Sequence, residues 1–384
     1  MRAIRGERTA PSDRELRLWK VGRALTVTFA AAVLAAGSVL YSLVYLLDFQ
    51  EIDTGAKLDA KTLFEVVKLS FGVVAGAGAL VALVVAYRRQ RVDEAGAYRE
   101  ATRLHTERFS QAVDKLGSDS PAVRLGGVHA LAGLADDAPT RGLRQTCIDV
   151  LCAYLRLPYI AEADLLHGDT GAWHEYVALR EIRHTIIRLV RDRLRLPADA
   201  PHSWQGHDFD FTGVAFDGGD LTGAVFSSGK VSFYGAAFHG RVFLNGTRFC
   251  GAVVSFTDAG FHGGEISFAD AQFIDGEVSF AGAGWHGGKV SFAAARFSGG
   301  TVPFTGAGFH DTEVNFTDAQ FIDGEVSFVG SGWHGGKVSF AAARLSGGMV
   351  SFTDAGFHDT EIVSGGVSLD GAEFFDGRDG TRPI

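Results

Sequence analysis

The sequence predicts a mixed fold, in which a C-terminal parallel β-helix follows an all-α region that includes two transmembrane helices. Three observations lead to this prediction. A twelve-residue apolar pattern repeats through the C-terminal half, helical periodicity marks the middle of the chain, and two long apolar runs lie near the N-terminus. The predicted segments are a cytoplasmic basic tail (1–23), a transmembrane helical hairpin (24–91), a soluble helical connector (92–200), the β-helix (205–376) and a short tail (377–384).

The repeat is clearest from Phe256 onward. A Phe recurs every twelve residues as far as Phe352, with Val or Ile two residues before it and another large apolar residue five residues after it. Ala stands three residues after each of these Phe residues, and Ser331 is the one exception. Residues two apart face one side of a strand, so the recurring step of three marks a corner. We therefore expect short strands to stack as coils about 4.8 Å apart around a solid core of Phe rings.

This pattern resembles the pentapeptide repeat, in which every fifth residue is an inward Leu or Phe. Phe209-Asp-Phe-Thr-Gly and Val214-Ala-Phe-Asp-Gly fit it directly, and the later units add two residues after every second pentapeptide. The resemblance implies a right-handed quadrilateral β-helix over about 209–374. Two twelve-residue repeats then make one coil with four sides, which predicts about seven coils. Gly-Gly, Asp-Gly and Asp-Thr at the longer corner suit turns that need a positive φ.

Two apolar runs near the N-terminus predict a transmembrane hairpin. Residues 24–47 and 69–87 contain no charged side chain, and each run is long enough to cross a hydrocarbon core of about 30 Å. Arg and Lys flank the outer ends of the pair, whereas the connecting loop is rich in Asp and Glu. The positive-inside rule therefore predicts a multi-pass protein of the inner or plasma membrane with both termini in the cytoplasm. A signal peptide is the alternative, but its apolar region is only about 7–15 residues long.

The middle of the chain predicts soluble helices. An amphipathic stripe follows the second span, and Ser120-Pro121 suits the N-cap and first residue of the next helix. Two further helices are predicted over about 140–156 and 173–196. The segment from Pro121 resembles one helix of a HEAT or armadillo repeat, but one or two such units cannot bury a solenoid core alone. We therefore interpret the connector as a spacer and as a cap over the start of the β-helix.

Composition narrows the classes of function. From Gln205 onward, 21 acidic residues stand against 9 basic residues, a net charge of about −12, which does not suit a domain that binds nucleic-acid phosphates. Three cysteines without CxxC spacing do not form a disulfide framework or a zinc motif, and a reducing compartment fits them. Arg outnumbers Lys 28 to 8, which hints at a GC-rich bacterial genome. We predict no enzymatic activity, and no catalytic, cofactor-binding or metal-binding residues, because no nucleophile motif, phosphate loop or HExxH is present.

Polar residues also recur along the β-helix. Histidines recur in every second repeat and are expected to form one outward column: His262, His286, His310, His334 and His358. The column could bind metal ions, could respond to pH, or could be a mere product of repeat duplication. Acidic residues recur at corners, where turn formation and solubility explain them better than acid–base chemistry does. Asp258, Asp270, Asp318 and Asp354 are assigned to one corner, and Glu265, Glu277, Glu313, Glu325 and Glu361 to the other.

Two functional hypotheses follow from these features. The first is a membrane-anchored scaffold, in which the acidic β-helix binds a protein partner that the sequence does not identify; a homo-oligomer is left open. The second is DNA mimicry, because some pentapeptide-repeat proteins are implicated in protecting DNA topoisomerases by presenting DNA-like charge. A β-helix enzyme acting on carbohydrate ranks third, since nothing distinguishes one coil from the next and an active site needs a unique cleft.

Overall fold

The computed structural model describes residues 60–159, 162, 165 and 169–375, together with eight helical positions between 27 and 45. The predicted basic tail, most of the first predicted span and the tail 377–384 lie outside the described residues. The chain divides into two compact units, Met1–Glu100 and Ala101–Ile384. The helical connector from residue 101 onward and the β domain therefore belong to the same unit.

Helix α1 (Ala60–Leu116) runs without interruption through the second predicted span and the charged segment after it. The hydropathy of the sequence predicts a span and a separate soluble segment here. No Pro interrupts them, and pairs such as Arg103 with Glu107 (2.5 Å) lie one turn apart, so the helix continues. By length and composition, α1 contains the one helix among the described residues that could cross a membrane, whereas the sequence predicts two.

Three further helices follow α1 and form the α region that precedes the solenoid. Thr140 caps one of them by accepting a hydrogen bond from the N–H of Leu143, and Asp169 caps another by accepting from two backbone N–H groups. Ser120 precedes Pro121 at a helix start as predicted, but its hydroxyl makes no capping hydrogen bond. The helices are α2 (Pro121–Asp136), α3 (Arg141–Leu155) and α4 (Thr170–Leu194).

The C-terminal part of the described chain is a parallel β-solenoid, as the repeat predicts. Its strands pair only in parallel, from one coil to the next, and form sheets of 11 and 12 strands. The strands are β1 (Phe209–Asp210), β2 (Ala215–Asp220), β3 (Val225–Phe226), β4 (Lys230–Ser232), β5 (Ala237–Phe243), β6 (Arg248–Ser255), β7 (Gly260–Ser267), β8 (Gln272–Ser279), β9 (Gly284–His286), β10 (Lys289–Ser291), β11 (Arg296–Phe297), β12 (Thr301–Pro303), β13 (Gly308–His310), β14 (Glu313–Asn315), β15 (Gln320–Phe321), β16 (Glu325–Ser327), β17 (Gly332–His334), β18 (Lys337–Ser339), β19 (Arg344–Leu345), β20 (Met349–Ser351), β21 (Gly356–His358), β22 (Glu361–Val363) and β23 (Glu373–Phe375).

The pairing register sets the length of each coil. Val290 of β10 pairs with Val314 of β14, exactly two repeats later as predicted, whereas the first coil is slightly shorter, since Phe209 pairs with Val231. Six coil-to-coil steps lead from β1 to β20, which makes about six turns rather than the predicted seven. The chain beyond β20 does not complete a regular coil, because the segment that returns from Phe357 to its partner Phe374 is shorter than any earlier coil.

Each regular coil carries four short strands, two in each sheet. In the coil from β9 to β12, β9 and β10 belong to the 12-stranded sheet, and β11 and β12 belong to the other. The Gly287-Gly288 insertion separates the two strands of one sheet, and both glycines have positive φ, 70° and 78°. The four-residue corner that begins at a Phe carries the chain from one sheet to the other. The predicted need for positive φ at the longer corner is confirmed.

Aromatic rings fill the interior in vertical columns. Phe256, Phe280 and Phe304 stack with centroids 4.8 and 4.7 Å apart, and their planes differ by no more than 6°. Rings of neighbouring columns meet edge to face, as Phe280 and Phe292 do at 6.1 Å and 89°. Each such pair contributes about 0.5–1.5 kcal/mol beyond the area it buries. The predicted solid core is confirmed.

Helices α3 and α4 pack on the first coil of the solenoid, at β1 and β2, and we call them the cap. The buried guanidinium of Arg183 donates hydrogen bonds to the carbonyl groups of Leu155 and Ala215, both at 2.7 Å, so it joins α3, α4 and β2. Trp204 is fully buried beside them, and its Nε1 donates to Asp136 at 3.0 Å. The cap therefore closes the apolar end that a terminal coil would otherwise expose to water.

Ser331, the exception in the row of alanines, has a structural partner. Its Oγ accepts a hydrogen bond from Nε1 of the buried Trp333 at 2.9 Å. Trp285 occupies the same position two coils earlier, where Ala283 replaces the serine, and its buried Nε1 has no partner among the described residues. A buried donor without a partner costs about 1–3 kcal/mol.

We expect Ser331→Ala to lower the free energy of unfolding by about 1–3 kcal/mol and Ala283→Ser to raise it by about 1 kcal/mol. Urea unfolding followed by tryptophan fluorescence measures both changes. Ala307→Ser is the matched control, because Phe309 offers no donor and the new buried hydroxyl stays without that partner. Equal destabilisation by Ala283→Ser and Ala307→Ser would show that the indole gains nothing from the serine.

Candidate functional site

A cavity of about 510 Å³ lies between α4 and the first two coils of the solenoid. The sequence analysis did not predict it. Charged side chains of α4 form one wall, and residues of β2 and β5 form the other, where Gly218, Gly219 and Gly240 leave space. We call this cavity the cap groove. Its polar and aromatic lining includes Arg180, Glu181, His184, Arg188 and Arg191 of α4, and Asp217, Asp220, Arg241 and Phe243 of the solenoid.

Asp217 is the best-connected carboxylate of the groove. It accepts hydrogen bonds from the hydroxyl groups of Tyr159 (3.1 Å) and Tyr176, and the Nε of Arg180 lies 3.8 Å away. The ring nitrogen Nε2 of His184 is 2.7 Å from the backbone carbonyl of Asp217. Burial, followed by the charge and hydrogen bonds of Asp217, raises the pKa of both tyrosines, so they remain neutral donors. This network holds α4 against β2 and leaves Asp217 fully satisfied.

Asp220 is the second solenoid carboxylate in the groove, and it too is satisfied. It forms an ion pair with Arg191 and accepts a hydrogen bond from the N–H of Thr222 at 2.9 Å. Burial alone raises the pKa of Asp220, but the hydrogen bonds from Thr222 and the charge of Arg191 lower it overall. The carboxylate therefore stays ionised and occupies the guanidinium of Arg191.

Two other guanidinium groups of the groove have donors to spare. That of Arg188 makes one long hydrogen bond, 3.4 Å to the Oγ1 of Thr185, and that of Arg241 makes no hydrogen bond or ion pair with any described residue. Each guanidinium carries five N–H donors. Glu181, also exposed, is the groove carboxylate that has no partner within the described part of the chain. The groove can therefore accept an anion without breaking an existing ion pair.

One part of the groove has a sequence signal that the analysis missed. Arg180, His184, Arg188 and Arg191 recur at helical spacing and place a basic stripe along one face of α4. Their solenoid partners carry no such signal, because Asp217 and Arg241 become neighbours of α4 only when the cap docks.

The predicted histidine column is present, and it is longer than predicted. The five rings stack with centroids 4.7–5.5 Å apart, His239 extends the column at its start by 5.0 Å, and Phe375 closes it at 4.3 Å from His358. His239 was missed because its spacing to His262 is slightly shorter than the regular spacing of the other five. Each of the five predicted histidines places its imidazole back over the Gly two residues before it, and a Cβ on Gly260 would stand 2.6 Å from Nε2 of His262. His239 has Ala237 at the corresponding position.

The geometry of the column argues against a metal ladder. Neighbouring rings are within 18° of parallel, so they meet face to face and their nitrogen lone pairs do not converge. Within the described ranges, no group of three or more His, Cys, Asp or Glu side chains is placed to hold a metal ion. A response to pH is the remaining chemical property of the column.

We expect the solenoid to lose stability as the pH falls below about 6.5. Burial, followed by the neighbouring histidines, lowers the pKa of His262 and His334, so the unfolded chain binds protons more readily. The stability is thus complete above the unfolded pKa and is lost as the pH falls through the folded pKa. Several stacked like charges should lower Tm by about 2–6 °C between pH 7.5 and pH 5.0.

The double variant His286→Asn/His310→Asn should reduce this fall in Tm, because it removes one charged neighbour of His262 and one of His334. His174→Asn, at an exposed position on α4, is the matched control and should leave the fall unchanged. An equal fall in the double variant and the wild type would show that the column does not cause the pH dependence.

The recurring aspartates all lie at the four-residue corner that begins at a Phe, which is the same corner of the repeat, as predicted. Asp258 and Asp354 stand where the chain passes into the 12-stranded sheet, whereas Asp270 and Asp318 stand where it passes into the other. All four have φ between 55° and 59°, a left-handed conformation that Asp tolerates better than most residues. The offset from the preceding Phe is the same for all four, so the same turn recurs on both sides of a coil of two repeats. Their φ angles favour the predicted role in turns.

The recurring glutamates all follow the longer corner of the repeat, as predicted, and they divide between the two sheets. Glu277 and Glu325 belong to the 11-stranded sheet, where Thr301 lies between them in the ladder. The other three lie in the 12-stranded sheet and alternate with basic residues: Arg241, Glu265, Lys289, Glu313, Lys337 and Glu361. Lys289 to Glu313 (3.0 Å) and Lys337 to Glu361 (2.6 Å) form ion pairs. We call this row the charge ladder.

The cysteines are not activated. Cys147 and Cys152 are buried among the helices, and Cys250 is half-buried on the solenoid. Burial raises the pKa of each thiol, to about 11 for Cys147, so none is a thiolate at neutral pH.

No family model, no curated protein and no solved structure matches this chain. The assignment of function therefore depends on the geometry of the solenoid, of its cap and of helix α1.

Proposed function

We propose that this chain is a non-enzymatic scaffold of the pentapeptide-repeat family, anchored in the inner or plasma membrane, whose solenoid binds a protein partner. The observation that carries the proposal is the regular solenoid itself, with aromatic columns filling its core. Such a rod offers a long rigid face for recognition. Four strands in each regular coil support the quadrilateral form. A right-handed coil follows from the strong preference for right-handed connections between parallel strands, about 98% of cases.

Helix α1 supports the membrane anchor. Phe64, Phe71 and Leu83 are each more than 60% exposed, and the apolar window of the helix is not buried inside the protein. Exposed apolar surface of this extent is stable when lipid or another apolar helix covers it. In this proposal residues 24–47 form the first span and the apolar part of α1 forms the second, and both termini are cytoplasmic.

Charge on the solenoid supports recognition by complementarity. The region from Gln205 onward has a net charge of about −12, but the charge ladder alternates in sign and is nearly neutral along its length. The excess negative charge therefore lies away from the ladder, for example at Glu277 and Glu325. A partner with basic groups at a spacing of two coils would fit this face, and electrostatic attraction would favour its association.

DNA mimicry is the second candidate, and the net negative charge favours it. Duplex DNA presents an uninterrupted row of negative charge. Basic residues interrupt the charge ladder at every second coil, so the observed pattern supports mimicry less than it supports a scaffold. A gyrase supercoiling assay with the purified chain tests this candidate; inhibition or protection at micromolar concentration would favour it over the scaffold.

Affinity purification of the full chain from detergent-solubilised membranes tests the proposed function. We expect the chain in the membrane fraction, and a specific protein that co-purifies with the wild type but not with Glu277→Lys/Glu325→Lys. Glu175→Lys, at an exposed position on α4 outside the solenoid, is the matched control and should retain the partner. A chain that stays soluble without detergent, or that captures no specific protein under any growth condition, would contradict the proposal.

A further inference from the structure

We propose that the cap groove binds a phosphate monoester of about nucleotide size. The inference starts from the two uncommitted guanidinium groups of Arg188 and Arg241. A phosphate monoester carries close to two negative charges at neutral pH, and its oxygens match the fork of a guanidinium. The other arginines that line the groove, Arg180 and Arg191, already face Asp217 and Asp220. The spare positive charge of the groove therefore lies on two residues.

These two arginines come from different parts of the fold. Arg188 belongs to α4, and Arg241 belongs to β5 in the second coil. A dianion between them would join the cap to the solenoid by charge-assisted hydrogen bonds, in addition to the permanent contacts of Asp217 and Asp220. Binding should therefore stabilise the folded chain, since a ligand that binds only the folded state shifts the unfolding equilibrium.

The size and the lining of the groove indicate which chemical group accompanies the phosphate in the ligand. Its volume of about 510 Å³ lies within the range of about 300–1,000 Å³ that is typical of small-molecule sites. Phe243 contributes a partly exposed aromatic wall, suited to a flat apolar group beside the phosphate. Gly218 and Gly240 line the solenoid side of the groove with backbone atoms.

Glu181 allows a test of whether the ligand of the groove is negatively charged. It lines the same groove without a described partner, and its carboxylate repels an anion. Removal of this charge should tighten binding, whereas removal of either arginine should weaken it. A merely structural role of these three exposed side chains does not predict opposite effects on the affinity.

Titration calorimetry of the full chain, with AMP as the probe and adenosine as the probe without phosphate, tests the proposal. We expect AMP to bind with a Kd of about 10–100 μM at low salt and adenosine not to bind. Arg188→Gln and Arg241→Gln should each weaken AMP binding about tenfold, and Glu181→Gln should tighten it about threefold. Arg296→Gln, an exposed arginine on β11, is the matched control and should leave the affinity unchanged.

The phosphate monoester could be a soluble metabolite or a lipid headgroup, and a second arm distinguishes them. The chain is reconstituted in phosphatidylcholine vesicles with or without phosphatidic acid. If phosphatidic acid competes with AMP, and this competition is lost in Arg188→Gln, the ligand is a lipid headgroup. If phosphatidic acid leaves AMP binding unchanged, the ligand is a soluble metabolite. Absence of saturable AMP binding at millimolar concentration in the vesicles without phosphatidic acid, or AMP binding that neither arginine substitution weakens, would overturn the proposal.

Discussion

Gly264→Ala is expected to destabilise the solenoid by about 3–5 kcal/mol, the largest effect of any single methyl group that we predict. Gly264 has a φ of 75°, and a Cβ at this position would stand 1.9 Å from the carbonyl oxygen of Gly240 in the preceding coil. That atom is backbone and cannot move without opening the ladder between β5 and β7. The alanine therefore adds a collision between coils to the ordinary cost of a left-handed conformation.

The neighbouring Gly263 supplies the matched control. Its φ of 65° is similar, but a Cβ there would meet no atom within 4 Å. Gly263→Ala should cost only about 1–2 kcal/mol, which is the cost of the left-handed conformation alone. Urea unfolding of both variants separates the two contributions. Equal losses of stability would mean that the coils do not approach each other as closely at this corner as the structure indicates.

Phe280→Ala should lower the free energy of unfolding by about 3–5 kcal/mol. Its ring stacks between two rings of its own column at 4.8 and 4.7 Å, and it meets Phe268 edge to face at 5.6 Å. Removal of the ring leaves a cavity that neighbouring coils cannot fill, because the ladders hold their spacing. Since each coil contacts only its neighbours, amide hydrogen exchange should accelerate most in the coils on either side.

Tyr234→Ala is the control for Phe280→Ala. Tyr234 is an aromatic residue of the same solenoid, but its side chain is half-exposed at a corner. Its removal should change the stability by no more than about 0.5 kcal/mol. Uniform acceleration of exchange along the whole rod in Phe280→Ala would contradict the local character of the stacking, even if the overall loss of stability were as expected.

Local regularity explains why most of the fold could be predicted. The offsets of Phe, Val and Ala within each repeat specify which side chains point inward, and the step of three specifies the corners. Both are properties of a few adjacent residues, so they required no knowledge of the partner coil. Two helix starts were accessible for the same reason, because Pro121 and Thr140 act on the turn that follows them. The start of α4 at Thr170, after its cap Asp169, was predicted about three residues too late.

Some features were beyond this kind of inference. The repeat predicts four sides for each coil, and only the folded chain shows that these sides join in pairs to form two sheets. The continuity of α1 was also missed, since hydropathy separates a membrane span from a soluble segment but does not end a helix. The lack of a described hydrogen-bond partner for Nε1 of Trp285 is evident only in the folded structure.

Inward positions, corner chemistry and the basic stripe of α4 were all encoded in short stretches of chain, where backbone periodicity alone positions the side chains. The cap groove and the alternation of the charge ladder were decided by tertiary structure. Their residues lie a full coil or more apart along the chain. In the charge ladder they become neighbours because the coil length determines which charges face each other. In the cap groove they become neighbours because the docking of α4 brings Arg188 to the wall that holds Arg241.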